Sequence, residues 1–513
     1  MDGTPNDGYG TNDGYDASDD GASEDGVRDD SAPAGGPGPD VIVIGAGPAG
    51  ENVAGRCAQA GLAVAIVERE LVGGECSYWG CIPSKTLLRP GEVLAAARRV
   101  PGAAAAVTGS VEAAAAFARR DEMVAGYTDD GQVPWLRDRG VELVRGVARL
   151  TGRPREVRVT LTGGGQRLLV ASRAVVLAAG TRATVPPVPG LADAEPWDNR
   201  SATGARQVPR RLVVLGGGAV GSELAQAFRR LGSETVTLVE GAPRLLAREE
   251  EFASDEVRTA FAAEGITVLV DTRAVAVRRE PVQPGQPRPE VTVRVVGPAG
   301  ESELVADEIL VAAGRTPATD DLGLTAFGLR PGGFVEVDDQ LRARAVPEGW
   351  LYAVGDVNGR ALLTHLGKYQ ARIAADVITG RRDIVGQPAR DLADGRAVPR
   401  VTFTDPQVSA VGLTERAARE AGLAVRAVRV PTGGVAGASV RGTDAVGTSM
   451  LVVDENRRVL VGATFTGADT QELVHAATVA IVGEVPVDRL WHAVPAFPTV
   501  SEVWLRLLEE YGL

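Results

Sequence analysis

Two stretches of the chain share one pattern: a short apolar run, a glycine cluster, a small-residue segment and a second apolar run closed by glutamate. The first is DVIVIGAGPAGENVAGRCAQAGLAVAIVERE, Asp40 to Glu70; the second is RLVVLGGGAVGSELAQAFRRLGSETVTLVE, Arg211 to Glu240. Unbroken apolar runs on either side of a helical segment predict a βαβ unit in each copy. The pattern changes after Arg396, where VTFTDPQVSAVGL and SMLVVDENRRVLVGATF alternate as antiparallel strands and TQELVHAATVAIVG carries helical spacing. Ala-rich stretches near Glu92 to Arg120 read as helices, the crossing VPPVPGL as a linker, and PVQPGQPRPE as a long hairpin loop.

The glycines give the repeated unit a chemistry. Each copy carries G-x-G-x-x-G, at Gly45, Gly47 and Gly50 and again at Gly216, Gly218 and Gly221. The first glycines let the backbone approach a pyrophosphate, the helix N-terminus offers unpaired N–H groups, and the acid closing the second strand accepts from a ribose hydroxyl. Those acids are Glu68, 23 residues past Gly45, and Glu240, 24 past Gly216. A lone glycine motif is a weak signal, but here strands, helix and acid accompany it twice.

Between the two units lies GGECSYWGCIPSK, Gly73 to Lys85, holding two of the chain's three cysteines. Cys76 and Cys81 read as a redox-active pair, because a helix starting near Pro83 would turn its donor end toward a thiolate. The alternatives are a disulfide staple or half a zinc site. One staple adds little to 513 residues, and no second Cys/His pair stands at metal spacing, so no metal site is expected. Two nucleotide sites flanking a dithiol suggest a relay in which one nucleotide delivers electrons and the other passes them to sulfur. The third cysteine, Cys57, reads as a small core residue.

Composition limits the alternatives. The length predicts three to four domains, and the 44% hydrophobic content is ordinary for a globular chain. No apolar stretch is long enough to span a bilayer, and the N-terminus lacks a basic and apolar leader, so a cytoplasmic address with reducing conditions is expected. Residues 1–39 contain ten acids against Arg28, −9 of the chain's −13, and read as a disordered acidic tail. The remainder supplies no basic field for nucleic acid. Of 54 basic residues only Lys85 and Lys368 are lysines, which suggests that Lys85 stands where a compact ammonium is needed, whereas Lys368 reads as accidental.

From about Asp40 to Leu513 the chain resembles the pyridine nucleotide-disulfide oxidoreductases, the group of dihydrolipoamide dehydrogenase, glutathione reductase and mercuric reductase. The resemblance rests on both fingerprints, the cysteine segment, VVLAAGT with Gly180, VAAGRTP with Gly314, LYAVGD with Asp356, and the terminal FPTVSE. It implies an α/β fold with two Rossmann-like dinucleotide-binding domains and a C-terminal α+β dimerisation domain. The expected segments are an FAD-binding domain over 40–182, an NAD(P)H-binding domain over 183–316, a central domain over 317–395 returning to FAD, and an interface domain over 396–513. It further implies that Gly45 to Glu68 binds FAD, that Asp356 contacts the ribityl chain, that Gly216 to Glu240 binds NAD(P)H, and that the protein is a homodimer. Lys85 would pair with Glu223 beside the flavin, Cys81 would be the thiol against it, and Cys76 the thiol facing substrate.

NADH is favoured over NADPH, because Glu240 would repel a 2′-phosphate and Gly221 matches NAD-using relatives, while the nearby Arg244 leaves some NADPH use expected. Ala219 stands where some relatives carry a gating Tyr. The main departure is at the C-terminus: relatives end in HPTxxE, whose His moves the substrate thiol's proton and whose Glu orients it, but here Phe497 precedes Pro498 and only Glu502 remains. His365, His475 and His492 are not at the base position, and the cysteine-free ending LRLLEEYGL disfavours mercury reduction. The expectation is an FAD-dependent NAD(P)H oxidoreductase acting on a small disulfide or related acceptor. The alternatives are a quinone or diaphorase-type reductase and a non-catalytic flavin-binding docking protein.

Overall fold

The computed structural model describes residues 38–281, 288–382, 386–443 and 445–513, so the acidic tail up to Pro37 and the centre of the PVQPGQPRPE insert lie outside the described residues. The first glycine unit builds a seven-stranded sheet. Its order is Leu351–Ala353, Ala174–Leu177, Val41–Ile44, Val64–Glu68, Val141–Leu150, Glu156–Leu161 and Gln166–Val170. The first five strands pair in parallel, and the last two extend the edge as an antiparallel meander. VIVI of Val41–Ile44 is buried throughout, as expected for a parallel strand covered on both faces. The 317–395 stretch feeds this same layer: its strand Leu351–Ala353 closes one edge, and its helix Thr364–Thr379 packs Ala371, Ala374 and Ala375 into one core with Val53 and Ala54.

The second unit forms a parallel four-stranded sheet ordered Ile266–Leu269, Thr235–Val239, Arg211–Leu215 and Glu308–Val311. An antiparallel sheet of Arg273–Arg279, Val291–Gly297 and Gly300–Ala306 lies beside it, so the Pro-rich insert falls between two paired strands. Thr181–Ala183 and Arg315–Pro317 pair antiparallel and join the two units immediately after Gly180 and Gly314.

The alternating C-terminal segments fold as an antiparallel five-stranded sheet ordered Arg400–Thr402, Gln407–Gly412, Val459–Gly467, Thr448–Asp454 and Val425–Pro431. Its apolar face packs on the helices Leu473–Val482 and Val503–Tyr511 through Leu473, Ala477, Ile481, Val503 and Leu507. Among the described residues no helix is long and apolar enough to cross a membrane.

Candidate active site

The two glycine loops have the same construction. A Cβ on Gly50 would come 1.9 Å from the Gly45 carbonyl oxygen, and one on Gly221 would come 1.9 Å from that of Gly216, so only glycine lets each helix start so close to its strand. Gly45 and Gly216 hold φ of +101° and +109°. Gly47 faces Gly74, where a Cβ would stand 2.7 Å from the Gly47 Cα, whereas Gly218 faces open space. Glu68 accepts hydrogen bonds from the N–H groups of Ala46 and Glu70, both at 2.7 Å. Glu240 repeats this with Gly217 at 2.5 Å and Ala242 at 2.7 Å. Each carboxylate oxygen keeps further lone-pair capacity for a ribose hydroxyl.

Asp356 is held where the joining strands meet the first sheet. The Thr181 hydroxyl donates to it at 2.8 Å and itself accepts from Arg315 Nε at 2.7 Å. Burial raises the Asp356 carboxyl above its ordinary range, against the pull of Thr181 and Arg315. Gln370 fixes the backbone beside it, its Oε1 accepting from Gly355 N–H and Asn358 Nδ2, both at 2.8 Å. Gln370 Nε2 and Glu51 Oε1 are buried without a hydrogen-bond partner among the described residues, one on each of the helices packed around this loop. A glycine cradle at a helix N-terminus, a ribose acid and orphaned polar atoms alongside fit a bound dinucleotide such as FAD.

The dithiol sits against this cradle. Cys76 lies in the short helix Gly74–Tyr78, and the next helix, Cys81–Arg99, opens at Cys81 itself. This moves the expected helix start two residues upstream of Pro83: Ser84 N–H bonds to Gly80, and Pro83 occupies a first-turn position where an N–H would have no helical partner. Cys81 is therefore the residue at the helix N-terminus. Its Sγ lies 3.4 Å from Thr364 Oγ1. A hydrogen bond from Cys76, then the Thr364 hydroxyl and the Lys85 ammonium, push Cys81 down to about 6 against the opposing effect of burial. Cys76, donating that hydrogen bond and buried, is raised. The pair is thus polarised, with the negative charge on Cys81.

Lys85 lies one helical turn on, its Nζ 2.7 Å from Glu223 Oε2 and 4.8 Å from the centre of the Phe403 ring. Glu223 is 4% exposed, and its other oxygen accepts from Phe403 N–H at 2.9 Å. Burial opposes the Lys85 charge, but Glu223 and the two cysteines hold the ammonium above its ordinary value. Cys57, fully buried, is pushed up to about 12, chiefly by burial.

Several contributors were not legible in the sequence. Glu75, next to Cys76, is gripped by Asn199 at 2.7 Å, Arg200 at 2.7 Å and Arg315 at 3.3 Å, which hold its carboxyl low despite burial. Asn199 also donates to the Trp79 carbonyl between the cysteines. Thr364, whose hydroxyl meets Cys81, gave no signal in the sequence. Lys368, read as accidental, acts electrostatically on Glu51, whose carboxyl burial drives up to about 7. Arg244, expected beside the nucleotide, instead donates to the Ala247 and Glu249 carbonyls.

The C-terminal motif stands apart. Phe497 is 75% exposed and Val494 87%. Glu502 Oε2 is buried without a partner, and among the described residues no hydrogen bond joins Glu502 to either cysteine. His475 and His492 are exposed, and the His365 ring bonds to the Pro399 carbonyl at 2.8 Å. Among the described residues no cluster of three or more His, Cys, Asp or Glu is placed to hold a metal ion.

Comparison with known proteins matches residues 39–374 to the family model "Pyridine nucleotide-disulphide oxidoreductase" and residues 398–507 to its dimerisation domain. The chain is 34% identical over 468 residues to a dihydrolipoyl dehydrogenase of Thermus scotoductus, covering 90% of this chain and 95% of that protein. It is 30% identical to a mercuric reductase of Staphylococcus aureus, covering 90% and 80%. Among solved structures it is similar to the HOCl-induced flavoprotein disulfide reductase RclA of Escherichia coli, in its Cu(II) complex, with a TM-score of 0.78 and 26% identity over 92% of this chain and 99% of that one.

Proposed function

The chain belongs to the pyridine nucleotide-disulphide oxidoreductases, a family that uses FAD and NAD(P)H, and on that premise we propose that it is an NADH-preferring reductase carrying electrons through Cys76 and Cys81 to a small disulfide or related acceptor. The observation that carries this reading is the polarised dithiol: Cys81 at a helix N-terminus, 3.4 Å from Thr364, with the Lys85–Glu223 pair one turn away. The Gly45–Glu68 cradle and Asp356 would hold FAD, which when bound would supply two-electron transfer between the nicotinamide and the Cys76–Cys81 disulfide. Gly180 and Gly314 flank the paired strands between the two nucleotide sites, and Gly216 to Glu240 takes the nicotinamide nucleotide.

The protein's own groups set the direction of exchange. Lys85 and Thr364 stabilise the Cys81 thiolate, so reductive cleavage leaves the proton on Cys76. Cys76 sulfur then attacks the acceptor disulfide, forming a mixed disulfide and expelling one acceptor thiol. Attack by Cys81 on Cys76 sulfur releases the second and restores the Cys76–Cys81 bond. NADH and one proton thus convert one acceptor disulfide to two thiols. Phe497 cannot move a proton, so an acceptor with a low-pKa leaving thiol suits the site better than lipoamide or glutathione.

A homodimer, implied by the dimerisation-domain match, suits the exposed Val479, Val482, Val494 and Phe497, which a second copy would cover. In such a dimer Phe497 and Glu502 of one subunit would lie over the dithiol of the other, as the family resemblance implies. A reducing, cytoplasmic setting agrees with a dithiol that must be re-reduced in each cycle. The test is anaerobic titration with NADH followed by an acceptor series. Two-electron reduction and faster turnover of aromatic disulfides than of lipoamide are expected; failure of NADH and NADPH to reduce the protein overturns the assignment.

A further inference from the structure

Glu240 was expected to choose the nucleotide, with Arg244 as the opposing cation, but Arg244 is tied to two backbone carbonyls. Another arginine lies across the same strand end. Asp271 N–H bonds to the Ala242 carbonyl at 2.9 Å, and Thr272 N–H to that of Glu240 at 3.0 Å, which brings the first residue of the strand Arg273–Arg279 over the ribose acid's neighbour. A Cβ on Gly241 would stand 3.4 Å from both Cγ and Nε of Arg273, so the side chain lies flat over a residue that has none. Arg273 is exposed and has no hydrogen-bond or carboxylate partner among the described residues. The other arginines on this sheet are engaged: Arg279 pairs with Glu308 at 2.6 Å, Arg278 with Glu280 at 3.2 Å and Arg294 with Glu301 at 3.1 Å.

We propose that Arg273 is a specificity-determining residue of the nicotinamide-nucleotide site, the cation that admits a 2′-phosphate where Glu240 alone would exclude it. This rests on the assignment of Gly216 to Glu240 as that site. The Glu240 carboxylate turns toward the glycine loop, 3.1 Å from where a Cβ on Gly217 would stand, while Arg273 covers Gly241 on the next residue. Acid and guanidinium therefore flank the carboxyl end of the second strand, where this fold places the adenosine ribose. A carboxylate there favours a free 2′-hydroxyl. An unpaired guanidinium offers a forked donor that matches a phosphate and gains nothing comparable from a hydroxyl. The two residues oppose each other, so the preference for NADH over NADPH is a balance that either can shift.

Calorimetric titration of the holoenzyme with ADP-ribose and with 2′-phospho-ADP-ribose tests this without turnover. Arg273→Gln should weaken 2′-phospho-ADP-ribose by about 10-fold or more, the loss of one charge-assisted contact, and move ADP-ribose by less than about 3-fold. Arg273→Lys should restore most of the phospho-ligand affinity, and that affinity should fall with added salt in the wild type but not in Arg273→Gln. Glu240→Gln should act in the opposite sense, tightening the phospho-ligand. Equal weakening of both ligands by Arg273→Gln, or no change in either, overturns the role of Arg273 while ADP-ribose binding leaves the site assignment standing. If the wild type binds neither ligand, the site assignment falls, and the proposal with it.

Discussion

Lys85 Nζ lies 2.7 Å from Glu223 Oε2, joining the helix that opens at Cys81 to the helix of the second glycine unit. One ion pair thus ties the dithiol to the unit proposed to bind the nicotinamide nucleotide. Glu223 is 4% exposed, and its two carboxylate oxygens meet this ammonium and Phe403 N–H.

Lys85→Met should therefore act on both chemistry and stability. Removing the ammonium takes away one of the groups holding Cys81 at about 6, so the thiol midpoint should rise, as read from the pH profile of iodoacetamide alkylation of the reduced protein. The buried carboxylate left behind should cost about 1–3 kcal/mol in urea unfolding, discounted because the Lys85 side chain is a third exposed. Lys85→Met with Glu223→Gln should cost less than the two single changes combined. Additive losses would mean that the pair does not act as a unit.

The two cysteines should behave differently. On the proposed assignment of Cys81 as the thiolate nearest the flavin, Cys76→Ser should give a stable long-wavelength absorbance band that fades on acidification, because protonation removes the donor charge. Cys81→Ser should show no such band at any pH. Identical spectra from the two variants would reverse or abolish the assignment.

Glu51 should make stability depend on pH. Burial raises its folded carboxyl to about 7 from the ordinary 4.5, so the neutral form is favoured in the fold. That contribution is fully present below the unfolded value and is lost as pH rises through about 7. Glu51→Gln should leave urea stability unchanged near pH 4 and raise it by on the order of 1–3 kcal/mol at pH 8. An equal gain at both pH values would show that the carboxyl does not titrate in this range.

The glycine loops, the glutamates that close their second strands and the alternating C-terminal strands were legible because each is written within 30 or so contiguous residues, where spacing maps directly onto geometry. Glu223 was reachable only through the family resemblance, since 138 residues separate it from Lys85. The grip of Asn199, Arg200 and Arg315 on Glu75 had no such guide: three distant segments converge on it, and each looks like ordinary surface charge in the sequence. Arg244 misled for the opposite reason. Four residues from Glu240, it was close in sequence, but its guanidinium caps local carbonyls, while Arg273, 33 residues away, covers Gly241.

Phe497 carries the last prediction. A thiol near its ordinary pKa of ~8.5 is only a few per cent ionised at neutral pH, and a positioned general base typically contributes about 10²- to 10⁴-fold. The base position holds a 75% exposed phenyl ring, and Glu502, which would orient an imidazole, has a buried oxygen with no partner. Dihydrolipoamide oxidation should therefore be slow in the wild type and rise steeply with pH. Phe497→His should raise it at pH 7 by about 10-fold or more and flatten the pH profile, because the new imidazole takes the thiol's proton and gives the orphaned carboxylate a donor. NADH reduction of the flavin, timed by stopped-flow absorbance, should not change. Phe497→His combined with Glu502→Gln should lose most of the gain, since the ring would lack its anchor. Rapid dihydrolipoamide oxidation by the unmodified protein would show that another group already moves the proton and that Phe497 is not the limiting residue.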